Sequence, residues 1–392
     1  MTISQLPLSY CTNVHPGRSL AEVERGLDEF TVPVRQNFGA PLAAGLWLAQ
    51  PVAAELLDGG ESVLARFAEG LARRGLQCHT LNAFPYGDFH SERVKEKVYL
   101  PDWTSADRLE YTTRCARILA TLLPEGGEGS ISTVPLGFKG FAHSLDFEDR
   151  SISNLLELAQ RLDRLASGTG RTIRLAIEPE PFCVLETTPE TLRFFSRLRE
   201  RAADSGVLEI AERHLGVCYD VCHQAVEYED IVASIGQLAS AGIRINKLHI
   251  TCALQLDRPD ENTEGREALA RYVEPRYLHQ TVASANTGAG VRSVDLSRAL
   301  ALQPPREFRQ AESWRIHFHV PVDAESLGPL STTRSQVKQA LQAVAELKYA
   351  PHLEVETYTW EVLPEMRGER SSATLVEGLT RELLATRRLL TV

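Results

Sequence analysis

The sequence predicts a (β/α)8 barrel formed as one domain over residues 1–392. Three observations carry this reading. Short apolar runs alternate with stretches of helical period along the whole chain, the rhythm of repeated strand–helix units. Five of the later runs deliver a Glu, Asp or His at or near their C-terminal ends: Leu175 to Glu178, Leu215 to Asp220, Ile243 to His249, Trp314 to His319 and Leu353 to Glu356. In a parallel barrel those ends share one rim, so their side chains converge. The strand candidates also number eight with no remainder. A doubly wound sheet with a small second domain would leave the polar tips of strands 4 to 8 unexplained.

In chain order, Leu6 to Cys11 reads as the first strand, and Thr12 to Gly17 as its exit loop, rich in turn residues. Helices are expected over 19–31, 42–57 and 61–74, the last ending at Gly75. Leu76 to Asn82 is the second strand. Its loop continues into the charged run Glu92 to Lys97, which reads as solvated, although Lys95 and Lys97 lie close enough to a strand tip to meet an anionic substrate. A helix capped by Thr104 or Ser105 runs to Leu123. The third strand, Ser130 to Val134, feeds a Gly- and aromatic-rich loop that brings Lys139 and His143 toward the mouth, and a helix spans 151–166.

Thr172 to Glu178 is the fourth strand. The helix after it starts at Thr188-Pro189, with proline in the first turn. Leu215 to Asp220 and Ile243 to His249 are the fifth and sixth strands, with a helix over 224–239 between them. Residues 253–311 then break the rhythm: a polar turn, a helical stretch over 266–282, and a flexible joint from Ala285 to Gly290. The segment is an insertion between strands 6 and 7, and at the catalytic end of a barrel it would form a wall or lid. Trp314 to Val320 and Leu353 to Thr357 complete the strands, with a helix over 333–348 between them. A turn from Pro364 to Arg370 leads to a closing helix over 372–388.

Composition bounds the function. Hydrophobic residues are 43% and charged residues 24%, an ordinary globular balance with ample core. The net charge of −10 argues against broad affinity for nucleic acid or anionic membranes. No run of 18 apolar residues appears, and residues 1–7 lack a signal-like pattern, so a cytoplasmic location is expected. Seven cysteines in a chain of this length read as small hydrophobes, not a disulfide framework.

The chemistry lies in the strand tips. A carboxylate closing a buried strand, as Glu178 does before Pro179, needs a partner. Glu178, Asp220 and Glu356 together repel one another unless a cation neutralises them, and with His249 they offer a mixed N/O set. Such a set suits one divalent ion: Mn²⁺, Mg²⁺, Co²⁺ or Zn²⁺. A buried ion-pair network around Arg174, Arg244 or Arg315 is the competing reading. His223 follows Asp220 by one helical turn, within reach of the same centre. His317 and His319 alternate about Phe318, so both imidazoles share one strand face, with His319 nearer the rim and the better candidate ligand. Glu180 and His317 stand as substrate or outer groups, with His15 and Lys139 from earlier loops. Glu354 shares a face with Glu356.

The segments Ile-Glu178-Pro, Tyr-Asp220-Val-Cys-His223, Lys-Leu-His249 and the late Glu356 resemble the sugar isomerase/epimerase superfamily of xylose isomerase-like barrels, which includes ketose epimerases, xylose isomerases and metal-dependent apurinic endonucleases. The resemblance implies that Glu178, Asp220, His249 and Glu356 hold one metal. It also implies that Glu178 and Glu356 act as acid and base, and that His223 contacts substrate. More narrowly, Leu8 to Gly17, Leu81 to Gly87, Val94 to Trp103 and Ser132 to Lys139 resemble the metabolite traffic protein EboE family, linked to moving a biosynthetic precursor toward the periplasm. The expectation is therefore a metal-dependent isomerase or epimerase acting on a small polyhydroxylated or carbonyl metabolite, with proteins of a biosynthesis or export pathway as partners and neither nucleic acid nor membrane insertion. The His317-Phe-His319 pair and the long insertion depart from a simple ketose epimerase. They keep open a phosphoester hydrolase with more than one metal, and a metabolite-binding barrel without turnover.

Overall fold

A computed structural model describes residues 4–285, 288–366 and 372–391. Eight parallel strands close on themselves: β1 (Ser9–Cys11), β2 (Ala43–Trp47), β3 (Thr80–Asn82), β4 (Glu128–Thr133), β5 (Thr172–Ile177), β6 (Leu215–Asp220), β7 (Ile245–Ile250) and a last stave, His352–Val355, which pairs with both β7 and β1. The expected barrel is present. Helices on its outside cover the staves, whose residues are almost all buried.

Two assignments differ from expectation, and they offset each other in the count of eight. Residues 42–57 do not form one helix. Ala43–Trp47 is the stave β2, and the helix begins at Gln50 with Pro51 in its first turn. Ala and Leu favour helices in isolation, but this run is buried on both faces and therefore shows no alternation to betray a strand. Conversely, Trp314 to Val320 is a strand but not a stave.

The insertion follows β7, as expected. Only Thr251 separates β7 from β8 (Cys252–Asp257), which leaves the rim and starts a second sheet. That sheet also contains β9 (Thr281–Ala285), β10 (Gly288–Ser293), β11 (Ser313–Val320), β12 (Ser326–Leu327) and β13 (Leu330–Thr332), in the order β10-β9-β11-β8-β13-β12. β11 runs antiparallel to both β8 and β9. Alternation marks a strand but not the sheet it joins, which is why β11 resembled a seventh stave. The final stave is then β14 (His352–Val355).

Smaller differences have local causes. The helix expected over 266–282 covers only Thr263–Leu269, and Pro275 lies in the extended segment that leads to β9. The helix expected over 224–239 is divided into Val221–Val226 and Ile231–Ser240, because Asp230 caps the second piece. Asn286 and Thr287 of the expected joint, and residues 367–370 of the expected turn, lie outside the described residues. Among the described residues, no helix is long and apolar enough to cross a membrane.

Candidate metal centre

Glu178 follows the last residue of β5, Asp220 ends β6, His249 stands one residue before the end of β7, and Glu356 follows β14. All four are buried. Asp220 and His249 are register partners, as are His249 and Glu354, so parallel pairing itself sets neighbouring staves at one height. One ligand atom from each of Glu178, Asp220, His249 and Glu356 lies within 4.8 Å of the others.

The arrangement turns one edge of each group inward. His249 Nδ1 is 3.0 Å from Glu178 Oε1, 3.3 Å from Glu356 Oε2 and 3.5 Å from Asp220 Oδ2. The outer edges are anchored. Asp220 Oδ1 accepts from the Thr251 hydroxyl at 2.7 Å and from the His223 backbone N–H at 3.0 Å. Glu356 Oε1 accepts from the side-chain amides of Asn13 and Asn82, both at 2.8 Å. Glu178 Oε2 and Asp220 Oδ2 are buried with no hydrogen-bond partner. Unpartnered carboxylate oxygens in a buried cluster are costly, and a divalent cation satisfies them. The donor set therefore fits such an ion.

The far edge of His249 supports the same reading. Its Nε2 faces Glu354 Oε1 at 3.3 Å, and Lys247 Nζ lies 2.7 Å from the same oxygen. Ser9 Oγ donates to Glu354 Oε2 at 3.2 Å. A carboxylate behind a ligating imidazole orients the ring and raises its basicity. Burial opposes charge throughout this centre. It raises the Glu178 pKa and pushes Glu356 up to about 6. At Glu354 burial is outweighed, first by Lys247, and the carboxyl is held at about 2.

Beside this centre stand three imidazoles. His223 Nε2 is 3.1 Å from His317 Nε2, which is 3.2 Å from His319 Nε2. Each Nδ1 faces an oxygen acceptor: the Pro179 carbonyl at 3.0 Å, the Gln280 side-chain oxygen at 2.7 Å and the Glu356 carbonyl at 2.7 Å, respectively. Those acceptors place the proton on Nδ1 and leave the Nε2 lone pairs facing one another. Burial lowers all three pKa values, so the rings are neutral near pH 7. Three mutually facing lone pairs need a shared proton or a cation between them.

The other expected groups divide between the pocket over this centre and positions away from it. Glu180 lines the same pocket, accepts from the Tyr99 hydroxyl at 2.6 Å, and has its pKa raised well above normal by burial. Lys95 also lines the pocket. Lys97 lines a separate outer groove. His15 bonds the Tyr10 hydroxyl at 3.0 Å and stacks on Phe30, away from the centre. Lys139 is engaged by Glu186 and Glu190, and His143 by the Phe138 carbonyl. Asn13, Asn82, Thr251 and Lys247 were not anticipated. Asn82 ends β3, so the strand-tip rule points to it; attention to charged residues alone passes over an amide.

No protein-family profile matches the chain, and no curated protein matches its sequence. Solved structures do share its architecture. A D-psicose 3-epimerase crystallised in the presence of D-fructose superposes with a TM-score of 0.52 at 12% identity, covering 99% of this chain and 100% of that one. A xylose isomerase-like TIM barrel protein from Mycobacterium smegmatis, in complex with magnesium, gives a TM-score of 0.51 at 12% identity, covering 98% of each chain. Over nearly its whole length, the molecule has the fold of the xylose isomerase-like barrels.

Proposed function

We propose that this protein is a metal-dependent isomerase or epimerase of a small hydroxycarbonyl metabolite, with Glu178, Asp220, His249 and Glu356 as ligands to one divalent cation. The carrying observation is the inward convergence of three carboxylates and one imidazole, with Asp220 and Glu356 anchored from behind and oxygens of Glu178 and Asp220 left without a hydrogen-bond partner. When bound, the cation withdraws electron density from the substrate carbonyl and acidifies the neighbouring C–H. Glu178 removes that proton, and Glu356, three staves away around the ring, returns one to the opposite face or to the adjacent carbon. Asn13 and Asn82 hold Glu356 in place, and Glu354 orients His249. His223, Glu180 and His317 line the pocket that would receive the substrate. The segment 253–311, which contributes Tyr277 and Leu278 to the pocket lining, serves as its wall or lid within a single domain. The motif resemblance to the metabolite traffic family supports a place in metabolite biosynthesis or export.

Solvent-deuterium incorporation tests the reaction. The Mn²⁺-loaded protein, incubated in ²H₂O with candidate ketoses and other hydroxyketones, should introduce a carbon-bound deuterium detected by mass spectrometry. Glu356→Gln should abolish incorporation with metal still bound.

One observation favours a second reading. The facing Nε2 atoms of His223, His317 and His319 form a natural second cation site, as a multi-metal ester hydrolase would require. Elemental analysis giving two or three ions per chain, with ester cleavage and no carbon–proton exchange, would favour hydrolysis. Metal-dependent binding with neither reaction would favour a binding role.

A further inference from the structure

The pocket over the metal centre separates its chemistry by depth. The carboxylates and imidazoles form the floor, while Phe84, Phe89, Val94, Val98, Tyr277 and Tyr358 furnish the wall. Phe89, Tyr277 and Tyr358 come from three separate segments and pack on one another, with ring centroids 4.9, 5.3 and 5.0 Å apart. Tyr358 also lies against His319, its ring centroid 4.7 Å away. The aromatic cluster therefore borders the polar floor directly.

Most of the polar capacity near the wall is already committed, including two of its three tyrosine hydroxyls. Tyr277 Oη donates to the Phe89 carbonyl at 3.2 Å, and Tyr99 Oη to Glu180. Lys95 is the one Lys or Arg among the described lining residues, and it is spent. Its ammonium group donates to the carbonyls of Glu274 at 3.1 Å and Tyr277 at 2.6 Å, and to Asp295 Oδ2 at 2.6 Å. Three donors on three acceptors leave nothing for a ligand. Lys95 holds a positive φ of 41° while making these bonds, so the segment is shaped around that internal use.

From this distribution we infer that the substrate carries its hydroxycarbonyl group on an uncharged, apolar, ring-bearing body. The inference rests on the reading of the floor as a metal-dependent hydroxycarbonyl site. A phosphate or carboxylate on the distal part would be buried without a free cation, and a chain of hydroxyls would face carbon, both unfavourable. An aromatic ring in the substrate adds stacked or edge contacts to Phe89, Tyr277 and Tyr358 that a hydroxyl-bearing sugar makes less well.

Calorimetric titration of the Mn²⁺-loaded protein with four probes tests this: 2-hydroxyacetophenone, dihydroxyacetone, D-fructose and D-fructose 6-phosphate. The aryl hydroxyketone should bind at least about ten-fold tighter than dihydroxyacetone, the gain expected from two or so ring contacts. The phosphate should bind no tighter than D-fructose. Phe89→Leu should erase most of the aryl preference, the ratio of aryl hydroxyketone to dihydroxyacetone affinity falling toward one. Equal affinity for aryl and small ketones, or a phosphate advantage, would overturn the inference. The two proposals fail separately. Aryl preference with no deuterium exchange on any probe keeps the apolar body and removes the isomerase reading; exchange on D-fructose without aryl preference does the reverse.

Discussion

Lys247 and Glu354 form a fully buried ion pair beneath the candidate centre, and the two residues have different consequences when changed. Glu354→Gln leaves a weaker acceptor behind His249, so Mn²⁺ affinity should fall about 10- to 100-fold by titration. Lys247→Met leaves the Glu354 carboxylate buried without its cation and should cost about 3–5 kcal/mol in urea unfolding. The Lys247→Met/Glu354→Gln double variant should recover more than half of that loss, because no uncompensated charge remains. Glu382 gives a second test at this scale. Burial pushes its carboxyl up to about 7, against hydrogen bonds from Thr357 Oγ1, the Val322 N–H and Trp360 Nε1. The folded state thus holds a proton that the unfolded chain releases near pH 4.5. This stabilisation is full below about pH 4.5 and is lost as pH rises through about 7, a change of about 3 kcal/mol. Wild type should lose stability over that window relative to Glu382→Gln; parallel curves for the two proteins would refute the assignment.

At the scale of elements, the narrow space between β2 and β14 decides whether the centre is in order. A Cβ at Gly45 would sit 1.5 Å from Glu354 Oε2 and 3.0 Å from the Tyr10 carbonyl oxygen. Gly45→Ala should displace Glu354 from His249, costing about 1–3 kcal/mol of stability and about ten-fold in metal affinity. Gly236 is the control. It lies within the helix Ile231–Ser240 with nothing within 4 Å of an added Cβ, so Gly236→Ala should stabilise by about 0.5–1 kcal/mol and leave metal binding alone. Equal effects at both positions would show that the glycine at β2 has no special relation to the site.

At the scale of the whole molecule, a metal held by this cluster would couple binding to folding, because the clustered carboxylates converge only in the closed barrel. Mn²⁺ at about 100 times its dissociation constant should stabilise the protein by about 2.7 kcal/mol, and removal by a chelator should lower the melting temperature correspondingly. Asp220→Ala should abolish that increment, as should His249→Ala. A melting curve indifferent to Mn²⁺ would argue for an internally satisfied ion-pair network in place of a metal site. The second sheet is tied to the barrel at this scale too: Arg292 on β10 bridges Glu186 and Glu227, and Lys95 reaches across to Asp295.

What the sequence determined by itself was the barrel and the four inward groups, Glu178, Asp220, His249 and Glu356. These were legible because a polar residue closing an apolar run is a local pattern, and parallel pairing turns strand ends into one rim. The tertiary structure alone decided which runs became staves. Ala43–Trp47 has helical composition and no alternation, and only burial on both faces makes it β2. Ser313–Val320 has the pattern of a stave, but antiparallel partners draw it into the inserted sheet. It also decided the supporting contacts. Asn13 and Glu356, or Lys95 and Asp295, lie far apart along the chain, and neither residue's immediate neighbours name its partner. Hydrogen-bond geometry across such distances arises only when the barrel closes, since closure removes the water that would otherwise satisfy those groups.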